Sequence, residues 1–205
     1  MHLFLIRHGE TEWNVERRMQ GNTDIPLNAR GRAQAELLAM RIAANGCLDV
    51  LYSSTLQRAR VTAEAIARVC ALTPIWDERL IEKGMGELEG LTLAEFEQRY
   101  PDLYRARMTS TEHVALPGEE SPAQLYERVQ AFLDDVCQRH TKGTRIGIVS
   151  HGGTLSMILS ILLGVNIWRR SPFWMDNASV SVVDLSGPCA RVRLLNDTCH
   201  LAEDE

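Results

Sequence analysis

The stretch Met1-His2-Leu3-Phe4-Leu5-Ile6-Arg7-His8-Gly9-Glu10 decides the fold. Met1–Ile6 reads as a short buried strand that stops at an arginine–histidine pair followed by glycine. Working outward, the residues through Asn22-Thr23-Asp24-Ile25-Pro26 read as loop. A helix is expected from the N-cap Asn28, with Ala33, Leu37, Leu38 and Ile42 on one face, until Asn45-Gly46 stops it. Asp49–Tyr52 reads as a second strand and Thr73–Trp76 as a third. Between them, Leu56 to about Cys70 carries Ala59, Ala63, Ile66 and Ala67 at helical spacing.

Arg79–Gly90 is punctuated by glycine and reads as irregular. Thr92 and Glu95 fit a capping box opening a short helix, which Pro101 ends or interrupts, and Met108–Glu120 reads as an exposed loop. Ser121-Pro122-Ala123-Gln124 opens a further helix to about His140, with Leu125, Val129, Phe132, Leu133 and Val136 inward. Arg145–Val149 reads as a buried strand and Thr154–Leu163 as a buried helix. Ser179–Leu185 and Ala190–Leu195 are two late strands joined by Ser186-Gly187-Pro188. Short apolar strands alternating with helices predict an α/β fold, a three-layer sandwich with a mostly parallel central sheet flanked by helices. One domain over residues 1–205 is expected, with an inserted lid-like segment around 82–120.

Composition narrows the function. The chain has 205 residues, 27 acidic against 22 basic side chains, a formal net charge of −5 and 45% hydrophobic residues. That excludes disorder and argues against a dedicated nucleic-acid partner, so any anion site must be local. The five cysteines are scattered, without metal-like spacing, and read as reduced, mostly buried thiols. No secretory signal is recognised, and a cytoplasmic location is expected. Gly152–Trp168 is uncharged, but its glycines, serines and Asn166 suit a core helix better than a membrane span, so no membrane partner is expected. That helix and Trp168–Trp174 serve either a homodimer interface or burial in the monomer.

In open α/β sheets, ligands bind beyond the carboxyl ends of the strands. The residues that follow the expected strands are Arg7, His8, Gly9 and Glu10; Ser53, Ser54 and then Arg58; Glu82 in a later loop; and Ser150, His151, Gly152 and Gly153. Arginine offers a planar fork matched to phosphate oxygens, and neutral histidine is a nucleophile that forms covalent intermediates. Glycines permit close backbone approach, and a glutamate can protonate a leaving oxygen. Together they suit phosphoryl transfer through a phosphohistidine, with no metal ligand set and no cofactor motif.

The sequence resembles the histidine phosphatase superfamily, in the branch that includes phosphoglycerate mutases and related phosphatases. The resemblance rests on LFLIRHGETEWN (3–14), PLNARGRAQAELLA (26–39), LYSSTLQRARVTAEAI (51–66), RLIEKGMGELEG (79–90), VSHGGTL (149–155) and DNASVSVVDL (176–185). It implies a phosphoglycerate mutase-like fold, His8 as the phosphorylated nucleophile and Glu82 as proton donor. Arg7, Arg58 and His151 would bind the phosphoryl oxygens, with Asn14 and the Gly152 amide as further phosphate contacts. Gly84, Met85 and Leu88 depart from the Asp-Phe pair and tryptophan frequent in the family, and Ser156 and Met157 stand where many relatives carry an arginine. Trp13, Met85 and Leu88 are either an apolar leaving-group pocket or simple packing.

Mutases of this family carry a longer insert rich in Arg, Lys and Tyr, which Glu87–Glu120 lacks. Arg105 and Arg107 read as a solvated helix face, and Arg169-Arg170-Ser171, although similar to a mutase segment, lies after the second histidine. The expected activity is therefore hydrolysis of a small phosphorylated metabolite: a phosphosugar, a phosphoglycerate derivative, a nucleotide or α-ribazole phosphate. The alternatives are a bisphosphoglycerate-dependent phosphoglycerate mutase, a non-catalytic phospho-ligand binding module and a protein phosphatase.

Overall fold

The structure, a computed structural model, describes residues 1–202. Six strands form one sheet: β1 (His2–Arg7), β2 (Val50–Ser53), β3 (Ile75–Trp76), β4 (Arg145–Ser150), β5 (Val180–Asp184) and β6 (Arg191–Asp197), in the spatial order β3-β2-β4-β1-β5-β6. β1 to β4 run parallel, β5 antiparallel to β1, and β6 antiparallel to β5. The mostly parallel sheet is thus as expected.

Strand periodicity divides the core into two faces. Leu3, Leu5, Ile146 and Ile148 pack with Leu125, Val129 and Phe132 of α6 (Pro122–Arg139) and Leu155, Ile158 and Leu159 of α7 (Gly152–Leu163). Ile6 and Val149 point the other way, against Leu38 and Ile42 of α2 (Ala29–Ala44) and Ala63 and Ile66 of α3 (Gln57–Cys70). The result is helix, sheet, helix. The helix after β1 therefore covers one face and the helix after the adjacent β4 the other. A crevice opens at the carboxyl ends where neighbouring connections diverge in this way.

Several expectations change. The stretch read as loop after β1 holds a short helix, α1 (Glu12–Val15), closed by a capping box between Thr11 and Asn14. Pro101 interrupts the helical stretch, as expected: it takes the first-turn position of α5 (Pro101–Thr109), just after α4 (Leu93–Arg99). Met108–Glu120 is not an exposed loop throughout. Leu116 is buried with Leu88 and Phe96 in a small separate core, and the Glu119 side chain is only 1% exposed. Glu119 is buried because Lys83, Arg107 and His113 surround its carboxylate, a pattern that hydropathy does not see. Helix α7 starts at Gly152, two residues early, because His151 is its N-cap position and the paired glycines join its first turn.

The cysteines also differ from expectation. All five are free, but Cys137, Cys189 and Cys199 are exposed and only partial burial protects Cys47 and Cys70. Burial in the monomer accounts for α7 but not for Trp168 and Trp174, which are 54% and 72% exposed. No helix among the described residues is long and apolar enough to cross a membrane.

Candidate active site

β1 and β4 are neighbours in register, with Arg7 opposite Ser150. The residues that follow are thereby forced together: the His8 amide donates to Ser150 O at 3.1 Å, and the His8 and His151 ring centroids lie 5.0 Å apart. β2 ends beside β4, where the Ser54 amide donates to Val149 O at 2.9 Å, and α3 then carries Arg58 into the same crevice. His8, Arg58 and His151 are all buried. Three sequence segments, those following β1, β2 and β4, thus meet at one rim.

Hydrogen bonding fixes the two imidazoles in complementary tautomers. His8 Nδ1 lies 2.7 Å from Gly9 O. A carbonyl only accepts, so Nδ1 carries the hydrogen and Nε2 presents a lone pair, with no partner among the described residues. His151 Nδ1 accepts from Arg58 Nε at 3.1 Å, so its hydrogen resides on Nε2, which donates to Ser54 Oγ at 2.8 Å. Burial, and then the Arg58 guanidinium, hold both rings well below the ordinary histidine range, with Arg7 acting in the same direction. Both stay neutral at physiological pH. The expected phosphate-binding residue His151 therefore sits in the cluster with both nitrogens already engaged by protein.

The arginines differ in how many donors they keep. Arg58 gives Nε to His151, one Nη1 hydrogen to Thr23 O at 2.7 Å and one Nη2 hydrogen to Gly21 O at 2.8 Å. One N–H remains on each terminal nitrogen. Arg7 spends Nη1 on Met175 O, while its buried Nε has no partner among the described residues. An unpartnered buried guanidinium N–H is costly unless a ligand oxygen accepts from it.

Glu82 is half-buried over the start of α7. Its Oε2 accepts from Gly153 N and its Oε1 from Thr154 N, both at 3.2 Å, and Oε1 also accepts from Lys83 N at 2.8 Å. The Gly153 and Thr154 amides belong to the first turn of α7 and lack intrahelical partners. A Cβ placed on Gly152 would lie 3.8 Å from Arg7 Nε and 4.0 Å from Glu82 Oε2, so the cationic and acidic groups flank one small space beside the Gly152 amide, which has no partner among the described residues. A Cβ at 153 would come within 2.7 Å of Glu82 Oε1, the end of a flexible side chain that would have to move. Gly153→Ala is expected to displace the carboxylate and to lower turnover roughly 10- to 100-fold. An unchanged rate in a folded variant would mean that Glu82 has no required position.

Asn14 is placed by α1. Its Oδ1 accepts from Thr11 N, Thr11 Oγ1 and Asn177 Nδ2 at 3.0, 3.0 and 3.1 Å, which leaves Nδ2 as the end available to a ligand. Asn177 also reaches His8 O and Gly9 O, at 3.2 and 3.3 Å, and so ties the nucleophile loop to Asn14. Sequence reasoning assigned Asn177 no role. Its only local signal was a polar residue at the entrance of the strand that pairs with β1. Thr62, which accepts from Gly9 N at 3.2 Å, was missed for the same reason: its bond spans 53 residues. Leu88 is fully buried in the small core of the 82–120 segment, so packing explains it.

Beside this space lies a cavity of about 330 Å³, bordered by Gly153 and Lys83 and by the cations Arg107, Arg169 and Arg170. Arg107 is therefore not on a solvated helix face as expected. It turns inward, donating to Val114 O at 3.1 Å and to Glu119 at 3.4 Å.

The family described as the histidine phosphatase superfamily (branch 1) matches residues 3–198. Phosphoserine phosphatase 1 of Hydrogenobacter thermophilus is 39% identical over 201 residues, covering 98% of this chain and 94% of that protein. A probable phosphoglycerate mutase of Escherichia coli is 38% identical over 184 residues, covering 90% and 85%. The crystal structure of an Entamoeba histolytica phosphoserine phosphatase in complex with 3-phosphoglyceric acid superimposes with a TM-score of 0.84 at 30% identity, covering 98% of this chain and 99% of that one.

Proposed function

Since this chain belongs to the histidine phosphatase superfamily, we propose that it hydrolyses small phosphate monoesters through a phosphohistidine on His8. The observation that carries this reading is the neutral His8 ring, with Nδ1–H committed to Gly9 O and Nε2 left free beside the partnerless Nε–H of Arg7. Nε2 attacks phosphorus, and the bond from phosphorus to the ester oxygen breaks. Glu82 gives its proton to that oxygen, which departs as an alcohol. Water then attacks the phosphohistidine, Glu82 takes the proton, and the N–P bond breaks to release phosphate. Arg7, the two spare N–H groups of Arg58, Asn14 Nδ2 and the Gly152 amide supply the positive field for the phosphoryl oxygens. His151 serves in this reading through its neutral ring, which holds the Arg58 fork in place. The 82–120 segment acts as the lid, and five free thiols support a reducing, cytoplasmic setting.

Phosphate release from a panel of phosphomonoesters, with EDTA present, tests the activity. Transfer between 2- and 3-phosphoglycerate without phosphate release would favour the mutase instead. Glu82→Gln tests the proton donor. Without an acid, a poor leaving group suffers and a good one does not. The variant is expected to lose about 10²- to 10⁴-fold on glycerol 3-phosphate and less than about tenfold on p-nitrophenyl phosphate. Equal losses on both would remove Glu82 from that role.

A further inference from the structure

The turn 175–178, which leads into β5, touches three residues of the phosphoryl site at once. Met175 O accepts from Arg7 Nη1, the Ala178 amide donates to His8 O at 3.0 Å, and Asn177 Nδ2 lies 3.1 Å from Asn14 Oδ1. The turn is held in an unfavourable shape. Buried Ala178 takes φ 56°, in the left-handed region that a Cβ disfavours. Such strain persists only where the surroundings over-determine it, and it gathers at functional sites. Here β6 supplies the brace: Asp176 N donates to Asn196 Oδ1 at 2.6 Å, and Asn196 Nδ2 returns a bond to Asp176 Oδ2 at 2.7 Å.

Neighbouring groups dictate which way both amides point. Asn177 faces two backbone carbonyls, His8 O at 3.2 Å and Gly9 O at 3.3 Å. A carbonyl only accepts, so Nδ2 is the end that meets them. Asn14 faces the Thr11 amide at 3.0 Å, which only donates, so Oδ1 is the end that meets it. The two hydrogens of Asn177 Nδ2 thus serve three acceptors. Gly9 O is also the acceptor of the His8 Nδ1 hydrogen. One amide nitrogen therefore touches both the carbonyl that sets the His8 tautomer and the carboxamide whose Nδ2 is left for a ligand.

We infer that Asn177 is a positioning residue of the phosphoryl site: it keeps Asn14 turned with Nδ2 toward the phosphoryl oxygens and holds the Gly9 carbonyl that orients the His8 ring. It acts through Asn14 and His8 rather than on the substrate. The inference rests on the phosphatase reading for the place of the phosphoryl group, but its test does not need turnover. Asn177→Asp is the sharpest perturbation, because the side chain keeps its shape while the ionised carboxylate only accepts. It sets a negative oxygen against three oxygens. Turning Asn14 to relieve that contact brings Asn14 Nδ2 against the Thr11 amide, donor to donor, and presents Oδ1 to the phosphoryl oxygens.

The measurement is the affinity for inorganic phosphate at pH 7.5, by calorimetry, in a double-mutant cycle with Asn14→Ala. Asn177→Ala is expected to weaken binding roughly 3- to 10-fold in the wild-type background and about twofold or less beside Asn14→Ala. Asn177→Asp is expected to weaken it at least about tenfold more than Asn177→Ala does. An amide nitrogen spectrum supplies a signature that mere support of the fold would not move. The Asn14 side-chain resonance, identified by its loss in Asn14→Ala, should shift on addition of phosphate in the wild type and not in Asn177→Asp. Unfolding midpoints establish that the variants fold, and should Asn177→Asp not fold, the cycle with Asn177→Ala decides. No loss on Asn177→Ala, an equal loss in both backgrounds, or a folded Asn177→Asp protein that binds phosphate like the wild type would overturn the inference. A wild type that binds phosphate but releases none from any ester would overturn the hydrolytic reading and leave the inference standing. A wild type that binds no phosphate would overturn both.

Discussion

The His8→Ala variant is expected to lose turnover by at least about 10⁴-fold and to form no phosphoenzyme, because of the two clustered imidazoles only His8 leaves a nitrogen, Nε2, without a partner among the described residues. His151 cannot substitute. Its Nδ1 accepts from Arg58 and its Nε2 is engaged with Ser54. In the wild type, quenching during turnover with labelled ester should trap a phosphoenzyme that survives alkali and decays in acid, the signature of an N–P bond. The variant should still fold and still bind phosphomonoesters, since His8 makes only a local side-chain bond, to the carbonyl of its neighbour Gly9. Substantial turnover by His8→Ala, or an acid-stable phosphoenzyme in the wild type, would remove His8 from the nucleophile role.

Arg58 should show the second large effect, on stability and catalysis together. It is 1% exposed, and it is the common donor to His151 Nδ1, Gly21 O and Thr23 O. Arg58→Ala leaves these acceptors without their donor and opens a cavity, at a cost of about 3–5 kcal/mol. Turnover should fall about 10²- to 10³-fold as the spare N–H groups of the fork are lost. Arg58→Lys keeps the charge but not the fork, so it should recover little of either. The pH dependence has a definite sign. Burial and then Arg58 hold His8 and His151 below the ordinary histidine range, and His8 must be neutral to attack. Removing the guanidinium lets both values rise, so the acid limb of the residual rate should move to higher pH. Chemical denaturation and a pH–rate profile check both parts. An acid limb that stays put or moves lower, or an unchanged unfolding midpoint, would contradict this role for Arg58.

The regular elements follow closely from local rules. The apolar runs of β1 and β4 allow little but buried strands, and Asn28 and Ser121 cap their helices as their side chains predict. The elements that escaped were set by other forces. The helix α1 depends on reciprocal bonds between Thr11 and Asn14 rather than on an apolar face. Leu116 packs with Leu88 and Phe96, and Glu119 is buried because cations converge on its carboxylate. Neither signal has a hydrophobic period.

The candidate site divides along the same line. Arg7, His8, Arg58, Glu82, His151 and the glycines after it were legible because each follows a strand end, and parallel strands must present those ends at one rim. What each group has left to offer was not legible. Only the packed fold decides that Arg7 Nε is unpartnered and that His151 is fully engaged. Only the packed fold lets Asn177 orient Asn14 and turns Arg107 into a cavity. Those outcomes depend on hydrogen bonds and charges between residues tens to more than a hundred positions apart. Sequence alone determined which chemical groups stand at the ends of the strands, because strand boundaries are set by local pattern. Tertiary structure decided which of their donors, acceptors and charges remain available to a ligand, because that is the remainder after long-range partners have been satisfied.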